Sequence, residues 1–115
     1  MGVHSVETKE REMTTFLLAY TGGGMAAPEE QDAVMAAWGA WFGSLGGAVV
    51  DAGNPVGAAV TLSPDGSRSD GAPGKLSGYS VISADSLSVA ADLTKGCPVL
   101  ASGGSVEIYE IIPVM

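Results

Sequence analysis

The apolar run TTFLLAY at residues 14–20 most constrains how this chain can fold, because it predicts a strand with apolar side chains on both faces. Successive side chains of a strand alternate between faces, so Leu18 and Tyr20 share one face. Leu17 and Ala19 share the other. A strand that is apolar on both faces has to be covered on both. The fold must therefore provide two layers of cover for this segment.

Two segments have the spacing of amphipathic helices that could form one such layer. The first is expected to begin at Pro28 and to end at Gly46-Gly47, since proline suits a first helical turn and glycine a helix end. Its apolar positions are Val34, Met35, Trp38, Trp41, Phe42 and Leu45. The second is expected to begin after Ser86 and to end near Lys95-Gly96. Its apolar positions are Leu87, Ala90, Ala91 and Leu93.

Further strands are predicted at Ala48–Ala52, Val56–Leu62, Gly78–Ser83 and Ser105–Ile112. Between them, Gly53-Asn54-Pro55 is typical of a turn, and residues 63–74 have the composition of a loop with two Asp-Gly turns. The resulting order is β–α–β–(β)–β–α–β. It predicts an α+β fold, a ferredoxin-like βαββαβ sandwich with a mainly antiparallel sheet.

Two helices can cover only one face of such a sheet, which leaves the other face apolar. An apolar face of this size is unfavourable in water. A second copy of the chain is the simplest cover, so we expect a homodimer in which two sheets pack on each other. The side chains expected on this face are Leu17, Ala19, Val81 or Ile82, and Tyr109 or Ile108.

Charge and composition exclude several classes of partner. Thirteen acidic residues against five Lys and Arg give a net charge of −8, which disfavours nucleic acid and anionic membrane surfaces. A single cysteine rules out a disulfide framework, and the sequence suggests no metal site and no cofactor. The uncharged run between Asp32 and Asp51 is rich in Ala and Gly and has acidic flanks, so we expect no transmembrane helix.

The first twelve residues are polar and carry no apolar leader segment. We expect residues 1–12 to form a flexible tail before a single domain at 13–115, in a cytoplasmic protein.

Four pieces of the chain together resemble the YCII-related family, in particular its DGPF-like branch. They are FLLAY, AAWGAWFGSLG followed by VVDAGNP, SDGAPGKLSGYSVI, and GCPVLASGGSVEIYEI. In this order they cover nearly all of residues 13–115. The resemblance implies a dimeric α+β barrel, made when two ferredoxin-like sheets pack together. It implies little about function, because most such proteins have no assigned activity.

Two departures from the family pattern affect the expected chemistry. The Asp-Gly-Pro-Phe motif is replaced by DGAPG at residues 70–74, so its aromatic residue is missing. Some members resemble enzymes with a His–Asp pair whose histidine lies on the first helix. Here that helix offers Ala36, Ala37 and Trp38, and the only histidine is His4 in the tail. The sequence therefore does not favour histidine-based acid–base catalysis.

The leading functional prediction is a small-molecule-binding or accessory module, with an apolar cleft between the first helix and the sheet. The candidate ligand-binding residues are Tyr20, Trp38, Asp51 and Tyr79. An enzyme of lyase or hydrolase type remains the alternative, with Asp51 at a strand end acting together with Tyr20 or Tyr79.

Three other features of the sequence are expected to have structural roles rather than functional ones. The helical spacing of Trp38 and Trp41 favours core packing over a ligand pocket. Cys97 is expected to be a buried or half-buried loop residue without reactivity. The Thr21–Gly24 segment is expected to be a flexible turn rather than an anion site.

Overall fold

The computed structural model describes residues 14–22 and 28–113. The expected tail at 1–12, with His4, therefore lies outside the described residues, as does most of the glycine segment after Thr21. The described part combines a four-stranded antiparallel sheet, a separate two-stranded sheet and three α-helices. The predicted α+β class is confirmed.

The strands of the described part are β1 Thr14–Thr21, β2 Val49–Pro55, β3 Val60–Leu62, β4 Arg68–Asp70, β5 Leu76–Ala84 and β6 Ser105–Glu110. The helices are α1 Gln31–Leu45, α2 Leu87–Thr94 and α3 Pro98–Ala101, with short 3-10 turns at Pro28–Glu30 and Gly46–Ala48. The large sheet has the order β2-β5-β1-β6, and β3 and β4 form a separate two-stranded sheet. The element order thus matches the predicted one, with β4 and α3 added.

The predicted helix ends are confirmed by their capping geometry. Gly46 follows α1 with a φ of 56°, which suits a residue without a side chain, and its N–H donates to the carbonyl of Phe42. At the start of α2, the hydroxyl oxygen of Ser86 accepts a hydrogen bond from the N–H of Val89 at 3.2 Å.

The strand register assigns the two faces of the sheet. Phe16 pairs with Ile82, and Leu17 pairs with both Val81 and Tyr109. Paired residues point to the same face, so Ile82 faces the helices whereas Val81 and Tyr109 face away from them. The core on the helical face comprises Phe16, Leu18, Tyr20, Trp41, Ile82, Ala84, Ala90, Cys97 and Val99.

Two sequence predictions about the second strand are wrong. The Gly53-Asn54-Pro55 segment was expected to be a turn, but it continues β2, which pairs with β5 through two irregular register shifts. The strand expected over Val56–Leu62 forms only at Val60–Leu62, where it makes a hairpin with β4. The Asp65-Gly66 pair lies in the hairpin turn, where Gly66 N–H donates to the Ser63 carbonyl at 2.8 Å.

The apolar stripes of the helices are narrower than their spacing suggested. Met35 at the start of α1 is 70% exposed, and Leu87 at the start of α2 is 52% exposed. Leu87 is the first residue of α2, and Met35 precedes Trp38, the first residue of α1 that is not exposed. The buried part of α1 begins at Trp38 and includes Trp41.

Gly53 allows β2 to approach β5 very closely. Its φ is +78°, and an added Cβ would overlap the carbonyl oxygen of Tyr79. We expect Gly53→Ala to lower the free energy of unfolding by at least about 2 kcal/mol, because the backbone conformation and the contact are both unfavourable for alanine. Urea unfolding measures this loss.

Gly57→Ala is the matched control, since an added Cβ there meets nothing within 4 Å. Its free energy of unfolding should change by less than about 1 kcal/mol. Equal stabilities of the two variants would contradict the role assigned to Gly53.

Candidate functional site

A cleft of about 310 Å³ lies between α1 and the sheet, at the edge formed by β2 and β5. Its lining residues are Tyr20, Met35, Trp38, Phe42, Ala52, Gly53, Asn54, Pro55, Ser77, Gly78, Tyr79, Ser80 and Val99. Three of the four ligand-binding residues predicted from the sequence, Tyr20, Trp38 and Tyr79, border this cleft. Asp51 is not among the lining residues.

Aromatic rings form the helical wall of the cleft. The ring of Trp38 packs edge-on against Tyr20, with centroids 5.2 Å apart and an angle of 67° between the planes. It also contacts Trp41 at 5.9 Å and Phe42 at 5.8 Å. These contacts fix the position of the Trp38 ring at the cleft.

The two tryptophans of α1 have different roles. Trp41 is buried, and its Nε1–H donates to the carbonyl of Leu93 at 3.1 Å, which joins α1 to α2. Trp38 is only half-buried and lines the cleft. Core packing, favoured from the sequence for both residues, therefore describes Trp41 well, whereas Trp38 combines core contacts with a surface toward the cleft.

Hydroxyl groups on the sheet side of the cleft bond to one another and to the backbone. The Tyr20 hydroxyl donates to Ser80 Oγ at 2.8 Å, and Ser80 Oγ donates to the carbonyl of Ala52 at 2.6 Å. Ser77 Oγ donates to the backbone carbonyl of Tyr20 at 3.0 Å. Each of these hydroxyl protons is thus used in holding β1, β2 and β5 together.

Burial raises the pKa of two neighbouring groups, the Tyr20 hydroxyl at the cleft and the Cys97 thiol in the core behind it. It raises the pKa of Tyr20 to about 12; the hydrogen bond to Ser80 acts in the opposite direction, and nearby Cys97 raises the pKa further. Burial also raises the pKa of the Cys97 thiol, against smaller lowering contributions from the Val99 amide and the Tyr20 hydroxyl. Neither group is therefore a ready base or nucleophile at neutral pH.

Asp51 and Tyr79 are placed differently from Tyr20. Asp51 pairs with Val81, and Tyr79 pairs with Ala19, so both belong to the sheet face that points away from the helices. Tyr79 therefore borders the cleft where the β5 backbone passes beneath it. The exposed Asp51 carboxylate accepts a hydrogen bond from Gly53 N–H at 2.8 Å. The structure does not bring Asp51 and Tyr20 together.

Several lining residues were missed as site residues in the sequence analysis. Asn54 and Pro55 were assigned to a turn, whereas they lie on β2 beside the cleft. Ser80 had no signal of its own, because its partner Tyr20 is 60 residues away in the sequence. Proline occurs in sheets at edge strands and bulges, so the Gly53-Asn54-Pro55 sequence is also compatible with an irregular edge strand.

The described part of the chain offers neither a cluster of metal ligands nor a membrane-spanning helix. Residues 14–22 and 28–113 contain no group of three or more His, Cys, Asp or Glu residues that could hold a metal ion. Within the same ranges, every helix is too short or too polar to cross a membrane.

Comparison with known proteins gives no further assignment. The chain matches no protein-family model. No curated protein matches it either.

The buried Tyr20 hydroxyl predicts a pH dependence of stability. Between pH 10 and 12 the unfolded chain ionises this tyrosine while the folded chain keeps its proton, so stability is present below pH 10 and is lost as the pH rises toward 12. Between pH 9 and pH 12, we expect wild type to lose roughly 2 kcal/mol more of its free energy of unfolding than Tyr20→Phe. Urea unfolding across this pH range measures the difference.

Tyr109→Phe provides the control, because Tyr109 is 51% exposed and its hydroxyl bonds only to Glu107 in the described structure. This variant should keep most of the wild-type pH dependence. Parallel stability curves for wild type and Tyr20→Phe would show that the Tyr20 hydroxyl is not desolvated.

Proposed function

We propose that this protein is a small-molecule-binding module without acid–base catalytic machinery of its own. The observation that carries the proposal is the cleft between α1 and the sheet, which has an aromatic wall and no charged side chain among its lining residues. Ligand sites are typically concave, mostly apolar and of about 300 to 1,000 Å³, and this cleft lies at the lower end of that range.

The polar groups of the cleft favour binding over catalysis. A general base needs an available lone pair and a pKa near the working pH. Tyr20 has a pKa of about 12, and its hydroxyl donates a hydrogen bond to Ser80 Oγ. Asp51, the carboxylate considered for an enzymatic role, faces the other side of the sheet. A lyase or hydrolase mechanism that pairs Asp51 with Tyr20 therefore has no support from the geometry, and one that pairs Asp51 with Tyr79 would lie on the sheet face away from the helices, outside the cleft.

We further propose a ferredoxin-like subunit that forms a homodimer, as expected for the YCII-related family. The sheet order β2-β5-β1-β6, with the first strand and the last strand before α2 at its centre, supports the ferredoxin-like assignment. The described structure is only 18 Å thick along its shortest axis, consistent with one helical layer on one sheet. One sheet face thus lacks a covering layer.

The composition of this open face suits an interface between two copies. Its centre holds Leu17, Val81 and the ring of Tyr79, on the two middle strands. Its edges hold the carboxylates Asp51 and Glu107, on the outer strands. An apolar centre with a polar rim is the usual anatomy of protein interfaces.

The dimer proposal is tested with Val81→Arg, which places a charge at the centre of the open face. Light scattering after size exclusion should give twice 11.5 kDa for wild type and 11.5 kDa for the variant. Burying an unpaired arginine at a sheet–sheet interface is strongly unfavourable. Circular dichroism checks that the variant subunit stays folded.

Leu62→Arg is the control for added charge, because Leu62 lies on the β3–β4 hairpin and is already 67% exposed. It should leave the dimer intact. A wild-type mass of 11.5 kDa at micromolar concentration would overturn the proposed dimer.

The binding proposal is tested by a thermal-shift screen of neutral, cationic and anionic metabolites. A ligand present at about ten times its Kd adds roughly 1.4 kcal/mol, which raises Tm by about 6 °C in a domain of this size. We expect stabilising compounds for wild type and none for Trp38→Ala, which lacks the central ring of the cleft wall. Val89→Ala, on the exposed side of α2, should respond like wild type.

A further inference from the structure

We propose that the cleft selects a neutral, flat molecule of two fused aromatic rings. This inference rests on the proposed binding function and names the class of ligand for that same site. Four properties of the cleft support it: its volume, its shape, the absence of charge in its lining, and the internal hydrogen bonds of its hydroxyl groups.

The volume fits two fused rings. A cavity of about 150 Å³ accommodates benzene. The cleft has about 310 Å³, roughly twice that space. One ring would leave half of the space unfilled, and the lining would lose its dispersion contacts there. A bicyclic molecule would fill the cleft.

The two walls of the cleft favour a flat molecule. On the helical side, Trp38 and Phe42 present aromatic rings whose planes differ by 37°. On the sheet side, Gly53 and Gly78 expose backbone without side chains. A flat ring can therefore lie between an aromatic wall and a smooth backbone surface, with contacts on both of its faces.

The lining contains no charged side chain, which decides against ionic ligands. An anion would lose hydration without gaining a cationic partner, and the net charge of −8 adds repulsion. A cation over the Trp38 ring would gain about 0.5 to 2 kcal/mol from the aromatic face. Removing an ammonium group from water costs several kcal/mol, so this gain is too small.

The polar side chains of the cleft leave no unused donor for a ligand. The hydroxyls of Tyr20, Ser77 and Ser80 already donate hydrogen bonds within the protein. Asn54 pairs with Tyr79, so its side chain belongs to the sheet face that points away from the helices. A ligand that binds mainly through the faces of its rings suits such a cleft.

The test compares three probes of one ring system by calorimetric titration of the full chain. Indole is neutral, indole-3-acetate is an anion, and tryptamine is a cation. We expect indole to bind with one site per chain, and the two charged probes to bind at least about tenfold more weakly. Comparable affinities for all three, or a preference for a charged probe, would overturn the selection for neutral ligands.

One variant examines the uncharged lining without disturbing the core. Met35 lines the cleft but is 70% exposed, so Met35→Arg should fold normally and add a cation at the site. It should strengthen indole-3-acetate binding about tenfold.

The outcomes separate this inference from the binding proposal. If the probes fail to bind wild type while other compounds raise its Tm, the ligand class is wrong and the binding function stands. If neither the probes nor any screened compound binds, both proposals fail. Loss of the Met35→Arg effect would show that charged probes are rejected for reasons other than the uncharged lining.

Discussion

The pairing of β1 with β5 on one side and β6 on the other determines where every other element can lie. Because β1 is central, Phe16 and Leu18 are buried under the helices. The same pairing places Leu17 on the opposite face beside Val81. The strand therefore carries two apolar surfaces, and the helices of the described structure reach only one of them. Both the cleft and the open face follow from this arrangement. The cleft lies between α1 and the sheet, and the open face is the side of the sheet that the helices do not cover.

The local features of the fold could be predicted from the sequence because they depend on nearby residues. The serine cap at Ser86 and the glycine stop at Gly46 act within one helical turn. The alternation along β1 follows from backbone geometry alone. These signals fixed the element order, and β1, α1, α2 and β6 formed close to the predicted positions.

Features that depend on distant partners could not be predicted. Gly53-Asn54-Pro55 has the local chemistry of a turn, yet β5 holds it as a strand, partly through the bond from Ser80 to the carbonyl of Ala52, 28 residues away. The irregular pairing of β2 also disrupts strict alternation, so the sequence alone could not assign Asp51 to a face. Tyr20, Trp38 and Tyr79 were recognised as candidate site residues, whereas Asn54 and Ser80 were not, because their places at the cleft depend on partners distant in the sequence.

Because Cys97 is buried, the rate at which its thiol reacts reports how often the folded core opens locally. Its sulfur lies inside the core next to the Tyr20 hydroxyl, out of reach of dissolved electrophiles. Alkylation must therefore wait for a fluctuation that separates the α2–α3 connection from the sheet. The alkylation rate therefore measures how frequent these fluctuations are. Because the sequence has a single cysteine, the measured rate belongs to this one site, and no label has to be introduced.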